Sequence, residues 1–149
     1  MTRNDIEYAD RLGRMRARML PALALMFIVQ QISFFTSRIE DPARLVDSVK
    51  IGAWLLMSIT LLLMLTMDGA WLQRPSVRAL LYDEVTRAHR AAAARVGFIA
   101  SMFGGVILYF LTFLEPVSGR DAIHMLVTVG IATALIRFGV LERRAHKGG

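Results

Sequence analysis

Few side chains in this chain are equipped to hold or transform a small molecule, and they are scattered. The histidines are His89, His124 and His146. A metal site needs several such ligands converging, and no two of these histidines stand three or four residues apart. Cysteine is absent, which excludes disulfides, thiolate metal sites and thiol redox chemistry. No carboxylate lies inside an apolar block, so a proton-driven pump is disfavoured. There is no Ser-His-Asp arrangement and no glycine loop of the phosphate-binding kind. No catalytic, cofactor-binding or metal residue is therefore assigned, no cofactor is expected, and an enzyme is the least favoured reading. What remains is a set of polar groups embedded in apolar sequence. Gln30, Gln31 and Ser33 are one group, Ser58 and Thr60 a second, Tyr109 and Thr112 a third, and Thr128 stands alone. At about 1.5 Å rise per residue they reach overlapping depths. Six residues (Gln30, Gln31, Ser58, Tyr109, His124 and Thr128) outline a candidate polar pocket in the outer half of the bundle. The alternative is ordinary hydrogen bonding between helices, at about 0.6 kcal/mol each. His124 is open to two readings, an interfacial hydrogen-bonded histidine near Glu115 and Asp121 or a pH-responsive one.

The elements that must position these groups are helices in a membrane. The chain is 149 residues long and 55% hydrophobic. Its apolar residues are concentrated in blocks, the signature of spans rather than of one large soluble core. The expected fold is all-α, a polytopic membrane protein with four transmembrane helices as two hairpins joined by a cytoplasmic amphipathic helix. The spans are expected at 19–37, 51–67, 96–114 and 122–141, in a single membrane domain. The first reads as a retained anchor rather than a cleaved signal, because its apolar run is long and no small-x-small cleavage site follows. Pro21 falls in the first turn of that span, where proline is tolerated. Asn4 and Glu7 have capping-box spacing for an amphipathic helix over 5–18, and Asp121 reads as the N-cap of the last span. Trp54 and Trp71 read as interfacial anchors.

Between the hairpins, Asp68 to Arg95 is the longest polar interval. A second amphipathic helix is expected over 75–95, its alanine run carrying it without a break into the third span. Arg78, Asp83, Glu84, Arg87 and Arg90 form a candidate partner surface on it. Lys and Arg are distributed unevenly. Fourteen of the 18 precede the first span, lie in the central stretch or lie at the C-terminal end, and four lie in the other two loops. The positive-inside rule then places both termini and the central helix in the cytoplasm of a bacterial inner membrane. With a net charge of +6, the expected contact is with anionic lipid head groups rather than nucleic acid.

Two contacts between spans are expected. Gly97, Ser101 and Gly105 recur every four residues, as do Gly130 and Ala134, the small-xxx-small pattern of close helix approach. Gly105, near mid-span, is the expected crossing. Asp68 and Arg137 lie near the cytoplasmic boundary and form a candidate ion pair between the hairpins.

LLYDEVTRAHRAAA at 80–93 and LEPVSGRDAIHMLVTVGIATALIRFGVLERRA at 114–145 carry a resemblance. They resemble segments of uncharacterised four-helix membrane proteins of sphingomonad-type alphaproteobacteria. The shared features are the box from Asp83 to Ala88 and the turn from Glu115 to Arg120. Members of that group are often encoded near Xre-type helix-turn-helix regulators, which implies a cytoplasmic transcriptional regulator as partner. Two functional readings follow. One is a sensory or regulatory membrane protein that engages such a partner through its central helix. The other is an accessory subunit of a transporter or other membrane complex, or a homo-oligomer, assembled through the glycine face.

Overall fold

The computed structural model describes residues 3–40, 45–66 and 84–145, with side chains at all of these except 3–6, 9, 10, 16, 34–40 and 45–48. The described residues form four helices: α1 (Arg3–Glu40), α2 (Leu45–Thr66), α3 (Glu84–Leu111) and α4 (Gly119–Ala145). Among the described residues, three stretches are long and apolar enough to cross a membrane: Val49–Thr66, Glu84–Leu111 and Gly119–Ala145. Their surfaces fit that solvent. Phe98, Phe103 and Phe110 of α3 and Phe113 just after it all stand exposed, apolar surface that is costly in water and ordinary in lipid. Thr60 and Thr66 of α2 donate to the carbonyls of Leu56 and Leu62 at 2.7 and 2.8 Å. Their hydroxyls are thus satisfied within their own helix, as lipid demands.

Several boundaries differ from the sequence expectation. The basic segment 5–18 and the first apolar block are one continuous helix, so Pro21 sits in a helix interior rather than a first turn. Proline there removes the amide that would bond the carbonyl four residues back. That carbonyl belongs to Ala17, and Arg143 Nε of α4 donates to it at 3.1 Å. Residues 84–95 and the third apolar block, by contrast, are one helix, the unbroken run expected from the alanines; the part of the central stretch before 84 lies outside the described residues. The last helix starts at Gly119, and its cap is Ser118, not Asp121. Ser118 Oγ accepts the Asp121 amide at 3.2 Å and donates to Asp121 Oδ2 at 2.6 Å. Asp121, three residues inside, is held by its amide and its carboxylate to the hydroxyl of that cap.

Helix α4 is the hub. Of its apolar window 44% is buried, against 22% for α2 and 17% for α3. It packs along α3 on one side and α1 on the other, while α1 and α2 meet only briefly. On the α3 side the approach is close because there are no side chains in the way. A Cβ at Gly97 would lie 2.6 Å from the Gly130 carbonyl oxygen and 2.8 Å from Ala134 Cβ. One turn on, Ser101 Oγ donates to the Leu126 carbonyl at 3.1 Å, and a Cβ at Gly130 would run into that hydroxyl. The crossing is therefore at Gly97 and Ser101, at the middle of α3 and one to two turns before Gly105. Gly105 is a correction: a Cβ there would meet only Leu126 Cδ2 at 3.7 Å, an ordinary contact. On the α1 side the matching feature is Gly139, where a Cβ would sit 2.8 Å from Pro21 Cδ. Leu20, Phe27, Leu135 and Phe138 close that interface, almost fully buried.

Candidate functional site

Where α1 ends and α2 and α4 begin, four buried side chains bond to one another. Trp54 Nε1 donates to Thr128 Oγ1 at 3.3 Å. Thr128 Oγ1 donates to Gln31 Oε1 at 3.3 Å. Gln31 Nε2 lies 3.3 Å from His124 Nδ1. An amide nitrogen can only donate, so in this arrangement Nδ1 accepts and His124 carries its proton on Nε2. A ring contact closes the circle: the Trp54 and His124 centroids are 3.6 Å apart, their planes tilted by 54°. His124 is 2% exposed and Thr128 6%. At such burial an unmet polar group would cost about 1–3 kcal/mol, so a continuous donor–acceptor chain is what allows the cluster.

Helix geometry explains the membership. His124 and Thr128 are four residues apart on α4 and share its α1-facing side. Gln31 comes from the far end of α1 and Trp54 from the first part of α2. Ser58, four residues after Trp54, is 3% exposed, and its Oγ has no hydrogen-bond partner among the described residues. Beside the cluster is a cavity of about 160 Å³ between α1 and α2. Gln30, Gln31, Ser33, Lys50, Ala53 and Trp54 line it. A second, wholly different space of about 280 Å³ lies between α2, α3 and α4, lined by Leu62, Leu65, Phe98 and Ile131 among others.

Of the six residues outlined from sequence, Gln31, His124 and Thr128 bond into one cluster, Ser58 lies buried beneath it, and Gln30 lines the adjoining cavity. Tyr109 is a correction. It is 62% exposed and packs edge-on against Phe110 and Phe113 on the outer face of α3. Thr112 next to it donates to the Tyr109 carbonyl. Trp54 was missed: read as an interfacial anchor, it is the hinge of the cluster. Its one signal is a lone indole N–H at the same depth as the polar residues, a donor that burial forces to find an acceptor.

The other end of the bundle holds a second polar set. His89 Nδ1 of α3 and Glu142 Oε1 of α4 are 3.3 Å apart, with Glu142 buried. The Arg90 guanidinium stands 5.9 Å from the Phe138 ring centroid, within reach of a cation–π attraction. Of the candidate partner surface, Glu84 and Arg87 are exposed and Arg90 is half-buried; Arg78 and Asp83 lie outside the described residues. Asp68 does too, so only Arg137 of the candidate ion pair is placed, exposed on α4. His146 and Trp71 also fall outside. Among the described residues no three of His, Asp and Glu come together as a metal would require.

Fold and site together define a helical membrane-type protein with a buried polar cluster at one end. No protein-family model matches the chain, and no curated protein or solved structure is significantly similar to it.

Proposed function

We propose that this chain is a non-enzymatic sensory or regulatory membrane protein that crosses the inner membrane four times. Both termini and the start of α3 face the cytoplasm, and the Trp54–Thr128–Gln31–His124 cluster faces outward. The signal is received at the cluster. A cytoplasmic protein, a transcriptional regulator in the simplest case, is engaged through the charged face of the central stretch. One observation carries the reading: α4 holds both ends. It supplies His124 and Thr128 to the outer cluster and Glu142 and Arg143 to the contacts with His89 and Ala17. A change in the outer contacts acts on the same helix that fixes α3 at its cytoplasmic start, next to exposed Glu84 and Arg87.

The test is affinity purification from detergent-solubilised cells with the wild type and with a Glu84→Arg, Arg87→Glu double variant. Both positions are exposed, so the fold should survive. Loss of a cytoplasmic protein seen with the wild type is the expected result. Equal recovery from both defeats the partner-surface reading.

A further inference from the structure

We propose that the space between α2, α3 and α4 is a binding site for one straight hydrocarbon chain, the acyl tail of a membrane phospholipid entering from the bilayer. The inference goes beyond the sensory reading and needs only the three apolar spans that wall the space. Geometry is the first argument. Ile131 and Ala134 of α4 form a buried floor, and Leu65 of α2 is buried beside it. The rim is exposed: Leu62 and Thr66 on α2, Ala94 and Phe98 on α3. Helices α2 and α3 touch only briefly, so the mouth lies between them and opens sideways. A sideways mouth in these spans opens onto lipid tails, the solvent of the hydrocarbon core. Chemistry is the second. Two side-chain hydroxyls line the space, and both are already answered. Thr66 donates to the Leu62 carbonyl at 2.8 Å and Ser101 to the Leu126 carbonyl at 3.1 Å. Every other described lining residue is apolar or glycine, so the walls favour hydrocarbon. Size is the third. The space measures about 280 Å³, and an apolar cavity of about 150 Å³ is enough to take up benzene. The α3 wall runs from Ala94 to Ser101, about 10 Å along the helix axis, which suits a length of chain. Left empty, such a space forfeits dispersion contacts along its lining. A tail seated there is held by three helices, and it packs on Gly97 and Gly130 at the α3–α4 crossing.

The test uses the full chain in phospholipid nanodiscs. They carry a trace of phosphatidylcholine with an aliphatic diazirine midway along one acyl chain. After photolysis, peptide mass spectrometry should find label on Leu65, Val127 and Ile131, which line the space. It should also find label on Phe103 and Phe110, exposed on α3 outside it. Ala94→Phe narrows the mouth at an exposed position. It should cut labelling of the three inner residues severalfold and leave Phe103 and Phe110 unchanged. The variant is first checked for a wild-type circular-dichroism spectrum. Should it not fold, a methyl-branched diazirine phospholipid takes its place on the wild type. Relative to Phe103 and Phe110, the branched chain should label the inner residues less than the straight one. Label on Phe103 and Phe110 but not on the inner three overturns the site; another segment of this chain or a second copy would then fill the space. Inner labelling indifferent to a folded Ala94→Phe or to branching overturns it as well. Absence of label on Phe103 and Phe110 too would overturn the membrane reading along with the site. None of these results depends on the cytoplasmic partner or on the Trp54 cluster.

Discussion

Alanine placed at two glycines of the same helix should have opposite effects. At Gly97 the new methyl would stand 2.6 Å from the Gly130 carbonyl oxygen and 2.8 Å from Ala134 Cβ. Relaxed contacts of this kind lie near 3.5 Å, so α3 and α4 must part by roughly 1 Å. Neither obstacle is a flexible side-chain tip; one is backbone and the other a Cβ on a neighbouring helix. Overpacking of this sort costs about 1–3 kcal/mol. It would also stretch the Ser101 bond to Leu126, one turn away. At Gly105 the methyl would meet only Leu126 Cδ2 at 3.7 Å. There the remaining effect is the better helix propensity of alanine, a gain of about 0.5–1 kcal/mol. That gain is common to both sites and cancels in their difference. The two variants should therefore differ by about 1–3 kcal/mol, with Gly105→Ala above the wild type and Gly97→Ala below it.

Thermal unfolding in one detergent, followed by circular dichroism, is a sufficient assay. At roughly 2–4 °C per kcal/mol for a chain of this length, the two midpoints should lie about 5 °C apart. Gly97→Ala melting at or above Gly105→Ala would mean that α3 and α4 do not cross at Gly97. The case for a glycine-mediated contact on that face would then be lost.

Other predictions are read with similar tools. Arg143→Met should cost about 1 kcal/mol in the wild type and less in Pro21→Ala, where an amide at position 21 can serve the Ala17 carbonyl; strict additivity in that cycle would show that Arg143 is not replacing the missing amide. Ser58→Ala should raise the melting temperature, since it removes a buried hydroxyl with no partner among the described residues, worth about 1–3 kcal/mol when unsatisfied; a fall would reveal a partner for Ser58. For topology, single cysteines at exposed Leu114 and Ala91 should react differently with an impermeant maleimide on intact cells. Position 114 should label and position 91 should not; the reverse pattern inverts the proposed orientation.

Depth was readable from the sequence and facing was not. The apolar blocks announce themselves by length, and residues at matching distances from block ends do lie at matching depths, as Gln31, His124 and Thr128 show. Tyr109 has the right depth but the wrong azimuth. At about 100° per residue it is turned about 80° away from Ser101, which faces α4. Leu108, one residue earlier, returns to within about 20° of that line and is the buried one. Thr60 fails in the same way relative to Ser58, two residues before it. The small residues carried facing information because they recur every four positions on both helices, so Gly97 could be matched to Gly130 and Ala134. Which glycine marks the crossing depends on the tilt between two axes, and no single-helix pattern encodes that. The Pro21–Gly139 contact was equally hidden. Its only trace is a proline inside an apolar block, which implies a freed carbonyl but not the helix that answers it.

The arrangement of forces along α4 follows from its solvent. Lipid tails are as apolar as leucine, so burial alone gives neighbouring helices little reason to associate. Close backbone approach and hydrogen bonds must supply the rest, and α4 divides them by position. Its middle is held by Gly130 and Ala134 against α3. Its ends are held by polar groups, His124 and Thr128 at one and Glu142 and Arg143 at the other. From His124 to Glu142 is about 27 Å along a single helix. The close-packed middle resists separation, but a small rotation or slide there changes few hydrogen bonds. The directional contacts at the two ends are the sensitive ones, because a shift of a few tenths of an ångström at 3.3 Å already weakens them. A helix so mounted is stiff in the centre and responsive at its tips. That is the mechanical reason for joining the Trp54–His124 cluster and the His89–Glu142 contact in one functional proposal.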